Sequence, residues 1–222
     1  VIAIDIGNTN IILGCMDDNK IYFTSRFSTD NEKTSDEYAI LLKSLFELKQ
    51  CPLSSITGGV ISSVVPELSA VLNEAVKKVT GKNAIIVGSG IKTGLNIRID
   101  NPAQLGSNIA VDAVAAAAKY PKPIIVFDME TATTVSVLNG HGDYLGGMII
   151  PGVRIALEAL SKKTSQLPHI DLSTPKKIIG TNTIDCMKSG SIYGNAAMID
   201  GLIDRFEYVM GKPASVIATG VL

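Results

Sequence analysis

Val1-Ile2-Ala3-Ile4-Asp5-Ile6-Gly7-Asn8-Thr9-Asn10-Ile11-Ile12-Leu13-Gly14 is two apolar runs around a small polar knot. Val1 to Ile4 is β-branched and almost free of polar groups, which predicts a buried strand. Asp5 ends that run with a charge, and Gly7 allows a sharp bend or a close approach to a ligand. Asn8, Thr9 and Asn10 supply short hydrogen-bonding side chains, and Ile11 to Leu13 resume a strand. The expectation is a strand, a tight polar turn and an antiparallel strand. Such a turn can receive phosphate oxygens, and the acid can hold a hydrated Mg²⁺. Alone, the stretch reads equally well as an ordinary hairpin with Asn and Gly at the bend. It is not a Walker loop, because no Gly-Lys-Ser/Thr follows.

The pattern recurs. Ile124-Ile125-Val126-Phe127-Asp128 is a second apolar strand ending in an acid. Met129-Glu130-Thr131-Ala132-Thr133-Thr134 is a hydroxyl-rich turn, Val135 to Leu138 a strand, and Asn139-Gly140-His141-Gly142 a hairpin turn. Repetition near half-length implies two similar domains, divided at Tyr120-Pro121-Lys122-Pro123 into residues 1–120 and 121–222. If the two domains face one another, both acids meet in a cleft, where small-molecule sites tend to lie.

Between these hairpins, Ile21 to Phe27 reads as a strand. Ser35 to Leu48 has helical periodicity (Tyr38, Leu41, Leu42, Leu45, Phe46) with Ser35 as N-cap. Gly58 to Pro66 is a strand running into a loop, Glu67 to Val79 a helix closed by Gly81, and Ala84 to Val87 a short strand. Gly90 to Pro102 is loop-like, with Lys92, Arg98 and Asp100, and Gly106 to Lys119 is an Ala-rich helix. Farther on come a strand and turn at Gly146 to Gly152, a helix from Val153 to Leu160 and a polar turn at Gly180 to Thr183. Helical stretches at Ile184 to Lys188 and Ser189 to Val209 and a strand at Ser215 to Ala218 complete the chain.

Composition narrows the function. The 222 residues are 46% hydrophobic, enough for a substantial core, and carry 20 basic against 21 acidic residues. With no basic stripe, nucleic acid is not expected as a ligand. No apolar run reaches membrane-spanning length, so no membrane association is expected. The N-terminus lacks a basic region and Asp5 interrupts its apolar run, unlike a signal peptide. A cytoplasmic protein is expected, possibly a fragment, since the chain starts without Met and stops just after a strand. Cys15, Cys51 and Cys186 show no paired spacing and read as buried, unmetallated thiols in a reducing compartment. His141 and His169 read as surface residues.

The ordered set of motifs resembles the type III pantothenate kinases over essentially the whole chain. The family's Asp-x-Gly-Asn-Thr is Asp5-Ile6-Gly7-Asn8-Thr9 here, and its Gly-x-Asp-Arg segment falls at Gly106-Ser107-Asn108-Ile109. Its Asp-x-Gly-Thr-Ala-Thr-Thr matches Asp128 to Thr134, its Gly-Gly-x-Ile-x-Pro-Gly matches Gly146 to Gly152, and its Gly-Lys-Asn-Thr matches Gly180 to Thr183. The resemblance places the chain in the acetate and sugar kinase/actin superfamily. It implies an α/β fold of two ribonuclease H-like domains, with mixed sheets flanked by helices and an interdomain cleft. It further implies a homodimer, Mg²⁺-ATP as donor, a monovalent cation (K⁺ or NH₄⁺), and phosphorylation of pantothenate, the first step of coenzyme A synthesis.

Carried over by position, Asp5, Ile6, Gly7, Asn8, Thr9, Asn10, Ile11 and Ile12 match the first phosphate-binding turn, and Asp5 holds the metal. Thr131 matches an ATP contact, Asp128 the monovalent-cation position and Thr183 the threonine that reaches pantothenate. Gly106, Ser107, Asn108 and Ile109 match the substrate and base segment. Several positions depart from the family pattern. Asn108 stands where the family has its catalytic Asp, and an amide is not a carboxylate base. Ile109 replaces an Arg and removes a planar donor for an anionic substrate. Glu130 replaces a Gly and adds a Cβ and a negative charge beside the phosphates. Thr181 replaces a Lys, and Val221 a Gly. Asp112, four residues after Asn108 on one helical face, is either a substitute base or a solvated helix acid. Three readings therefore stand: an active pantothenate kinase, a homologue that binds a ligand or partner without turnover, and another phosphotransferase or ATP hydrolase of the superfamily.

Overall fold

The computed structural model describes residues 1–18, 20–88 and 90–220. Val221 lies outside them. The chain divides into two compact units. The first is Val1–Thr93 with Ala103–Val111, and the second is Gly94–Pro102 with the chain from Asp112 onward.

The first unit is built on β1 (Ile2–Ile6), β2 (Asn10–Met16) and β3 (Ile21–Ser28), an antiparallel meander. Then follow α1 (Ser35–Leu48), β4 (Gly59–Ser63), α2 (Pro66–Thr80) and β5 (Ala84–Ile86). The sheet order is β3-β2-β1-β4-β5, with β4 parallel to β1 and β5 parallel to β4. The alternation of β1 decides its two faces. Ile2, Ile4 and Ile6 are buried in a core with Tyr38, Leu42 and Phe46 of α1 and Leu68, Leu72 and Val76 of α2. Ala3 and Asp5 are turned to the other face and are only half-buried, while Val1 precedes the strand and is exposed. The opening run is therefore not uniformly buried.

α1 spans the residues its periodicity suggests, Ser35–Leu48, but its cap lies one residue earlier than expected. Thr34, not Ser35, is the N-cap, in a capping box with Glu37. α2 starts with Pro66 in its first turn and stops at left-handed Gly81, φ 69°.

The second unit repeats the plan. β6 (Ile124–Met129), β7 (Ala132–Leu138) and β8 (Tyr144–Pro151) form the meander, and β9 (Ser215–Thr219) lies parallel to β6. The order is β8-β7-β6-β9. Helix α3 (Ser107–Lys119) belongs to the first unit as far as Val111 and to the second from Asp112, and the second unit's further helices are α4 (Val153–Lys163) and α5 (Thr183–Met210). α5 is one continuous helix rather than two stretches. Its Ile199, Leu202, Ile203 and Phe206 pack on Ile125, Phe127 and Val135. On α3, Ala110, Ala113 and Ala116 form the buried stripe.

The cysteines depart from the sequence reading. Cys15 is buried, Cys51 half-buried and Cys186 exposed. Although 36 positions apart, Cys15 and Cys51 bring their Sγ atoms to 3.7 Å. Burial, then the neighbouring Cys51 thiol, pushes the Cys15 thiol up to about 11. Both histidines are exposed, as expected. Among the described residues no helix is long and apolar enough to cross a membrane.

Candidate active site

Asp5 sits next to last on the central strand of the first sheet. Its Cα pairs with Ile12 on one side and Ser62 on the other. Burial raises the Asp5 carboxyl above the usual carboxylate range, and the Ser62 hydroxyl, which donates to it, pulls it partly back. Beyond Asp5 the chain turns through Gly7, Asn8 and Thr9. The Gly7 N–H donates to the Asn10 carbonyl at 2.9 Å. Thr29, just past β3, stitches the turn from outside: its hydroxyl donates to the Gly7 carbonyl at 2.6 Å and its N–H to the Thr9 carbonyl at 2.9 Å. Asn8 and Thr9 are exposed, and Asn10 and Ile12 half-buried. Ile6 and Ile11 are fully buried, so only their backbone can serve a ligand. Thr29 was missed in the sequence because nothing local ties it to Gly7.

The start of α3 lies against the same sheet. The Ser107 hydroxyl donates to the Ser63 carbonyl at 2.7 Å and accepts from the Ser63 N–H at 3.1 Å. Its oxygen is 3.4 Å from that of Ser62. Asn108 is the second residue of α3, and its amide oxygen folds back over Gly106, where a Cβ would lie 2.9 Å away. Gly106 through Ile109 are half-buried. The first N–H groups of a helix lack intrahelical partners and favour anions.

The second hairpin matches the first. Asp128, half-buried, pairs with Thr134 on β7 and Thr219 on β9. Each acid thus faces a hydroxyl residue in register on its parallel neighbour, Ser62 for Asp5 and Thr219 for Asp128. The turn is Glu130–Thr131, with Glu130 half-buried and Thr131 exposed. Gly152, immediately before α4, clamps it: its N–H donates to the Thr131 carbonyl at 3.1 Å. A Cβ on Gly152 would overlap the carbonyl oxygens of Glu130 and Thr131. Next to this turn lies a cavity of about 400 Å³, lined by Met129, Val153, Arg154, Ser191, Asn195 and Ile199 among others.

Thr183 is the first residue of α5 and exposed. Asn182 caps that helix, accepting from the Asp185 N–H at 2.9 Å. The loop containing Arg98 is tied down by Asp143: Asn96 and Asn139 amides each donate to its carboxylate at 3.0 Å, and the Arg98 guanidinium lies 2.7 Å away. Those partners, the Asn96 hydrogen bond first, lower the Asp143 carboxyl.

The family model for type III pantothenate kinase matches residues 1–205. The chain is 43% identical to the type III pantothenate kinase of an Exiguobacterium species and 44% identical to that of Halalkalibacterium halodurans. Each alignment covers all of this chain and 87% of the relative. The chain belongs to the type III pantothenate kinase family. The fold agrees: a solved structure from Listeria monocytogenes, described as "a putative N-acetylmannosamine kinase", superposes with a TM-score of 0.51 at 13% identity, over 99% of this chain and 82% of that one. The two sheets share one plan, β3-β2-β1-β4 in the first and β8-β7-β6-β9 in the second.

Within the pantothenate kinase frame, the departures have definite positions. Asn108 is at the helix end expected of the base, Ile109 is half-buried beside it, and Glu130 occupies the clamped second turn. Asp112, one turn along α3 from Asn108, is half-buried. Asp5 suits a hydrated divalent cation. A carboxylate has about four lone-pair sites, Ser62 uses one, and a cation would offset the burial that raises its pKa. Among the described residues no group of three or more His, Cys, Asp or Glu side chains is placed to chelate a metal.

Proposed function

We propose that this chain transfers the γ-phosphoryl group of Mg²⁺-ATP to pantothenate, forming 4′-phosphopantothenate at the start of coenzyme A synthesis, in the cytoplasm and as a homodimer. The observation that carries this reading is the duplicated hairpin of a family member, an in-register acid and hydroxyl pair beside a polar turn in each unit. When bound, Mg²⁺ would supply positive charge against that of the phosphates. Asp5 would hold the hydrated metal, and Gly7 to Ile12 offer backbone and side-chain donors to the phosphates. Thr131 contributes a hydroxyl at the second turn. Asp128 would hold a monovalent cation, K⁺ or NH₄⁺. Gly106 to Ile109 hold pantothenate.

Phosphoryl transfer is mostly positioning and charge stabilisation, so a chain without a carboxylate at position 108 retains most of the apparatus. Asn108 can align the attacking hydroxyl but does not take its proton. That same residue, with Glu130, favours a second reading, ligand binding without turnover. The deciding experiment incubates the purified chain with Mg²⁺-ATP, K⁺ and pantothenate and follows 4′-phosphopantothenate by mass spectrometry. Product above the protein-free background supports the kinase. Its absence, with both ligands still binding in calorimetry, establishes the second reading.

A further inference from the structure

β5 is only three residues long, and the last bond on its side of β4 runs from the Val87 N–H to the Ile61 carbonyl at 2.7 Å. Backbone groups alternate sides along a strand. Two residues on, Ser63 therefore points its N–H and carbonyl toward a strand that has ended. Ser107 fills that gap with one hydroxyl, bonded to both groups at 3.1 and 2.7 Å. Ser62, between Ile61 and Ser63, points its hydroxyl to Asp5. Each serine has one proton. Ser107 gives its proton to the Ser63 carbonyl, and Ser62 gives its own to the carboxylate, the stronger acceptor. The 3.4 Å hydrogen bond from the Ser62 hydroxyl to the Ser107 oxygen is then the longer and weaker of the two directions open to that proton.

We propose that Ser62 and Ser107 are positioning residues that register the Asp5 carboxylate and the first turn of α3 on the same end of β4. Ser62 acts on the metal-nucleotide side and Ser107 on the pantothenate side. This rests on the reading that Asp5 serves Mg²⁺-ATP and that Gly106 to Ile109 serve pantothenate. The Ser107 hydroxyl is committed to the Ser63 backbone, so Ser107 offers pantothenate its backbone only; both side chains act through a neighbour, and their loss should be ligand-selective.

The test measures Mg²⁺-ATP and pantothenate affinities of the full chain by calorimetry, with melting temperatures, for Ser62→Ala, Ser107→Ala, Ser107→Thr and Asp5→Asn. One lost hydrogen bond corresponds to about a tenfold effect. Ser107→Ala should weaken pantothenate about tenfold and Mg²⁺-ATP by less than about twofold, and Ser107→Thr, which keeps the hydroxyl, should restore it. Ser62→Ala should show the reverse selectivity. Equal weakening of both ligands in step with the melting temperature, or no change in either, overturns the inference. If Asp5→Asn leaves Mg²⁺-ATP affinity intact, the reading of Asp5 itself is wrong. If Asp5→Asn abolishes binding while Ser62→Ala and Ser107→Ala are silent, only the positioning role falls.

Discussion

Asn108→Asp tests the chemistry of the α3 end with the least disturbance to the fold. Asn and Asp are nearly isosteric, so the oxygen that lies over Gly106 keeps its place. Position 108 is in the first turn of α3, where a carboxylate gains about 0.3–1 kcal/mol from the helix dipole. For a chain of this size that is a rise in melting temperature of about 1–4 °C at pH 7. The same dipole keeps the new carboxylate ionised at neutral pH, ready to accept the proton of the attacking hydroxyl. Supplying a general base is worth about 10²–10⁴ in rate, or about 2.7–5.4 kcal/mol of barrier. The kinetic signature is a higher kcat with an unchanged KM for ATP, read in a coupled ADP-release assay with confirmation of phosphopantothenate. Asp112→Asn in the unaltered chain is the control: if Asp112 substitutes as base one turn away, it removes the residual activity. The reasoning fails if Asn108→Asp leaves kcat unchanged. It fails equally if the unaltered chain already turns over at the rate of the variant and ignores Asp112→Asn.

Three further outcomes are expected. Glu130→Gly should tighten Mg²⁺-ATP with little gain in kcat, because like charges ~4 Å apart repel by about 4 kcal/mol at an effective dielectric of 20 before relaxation; unchanged affinity in calorimetry would place the phosphates away from this turn. Gly152→Ala forces a methyl into the Glu130 and Thr131 carbonyls, an overpacking cost of about 1–3 kcal/mol, and should lower the melting temperature by about 2–12 °C along with ATP affinity; wild-type stability would contradict the clamp. Asp5→Asn should abolish Mg²⁺-ATP binding yet stabilise the apoprotein at pH 7. The folded Asp5 carboxyl is raised, so the folded state holds that proton more tightly and stability falls as pH climbs from the ordinary carboxylate pKa through the raised one. The stability gain should vanish in melts below that window, and a gain that persists there would rule out this origin.

What the sequence determined by itself is what contiguous residues encode. The repeated run from apolar strand to acid to polar turn, the α1 stripe of Tyr38, Leu42 and Phe46, and the breakers at Gly81 and Pro121 are periodicities and punctuation. They survive without knowledge of any partner segment, and they suffice for two sheets of one plan and for the motifs of the pantothenate kinases. One-residue details fail where two residues can do one job, as at Thr34 and Ser35, and only the capping box with Glu37 decides between them. Tertiary structure alone decided which distant residues meet. Ser62 reaches Asp5 because β4 runs parallel to β1 in that register and no other, since a slip of one residue would turn its hydroxyl to the opposite face. Ser107 reaches Ser63, 44 positions away, because β5 stops short. Gly152 meets the Glu130 turn, and Cys15 meets Cys51, for the same reason: strand order and register are set by burying the apolar faces as a whole. The polar contacts that tune the site follow from that burial and leave no mark in the local pattern.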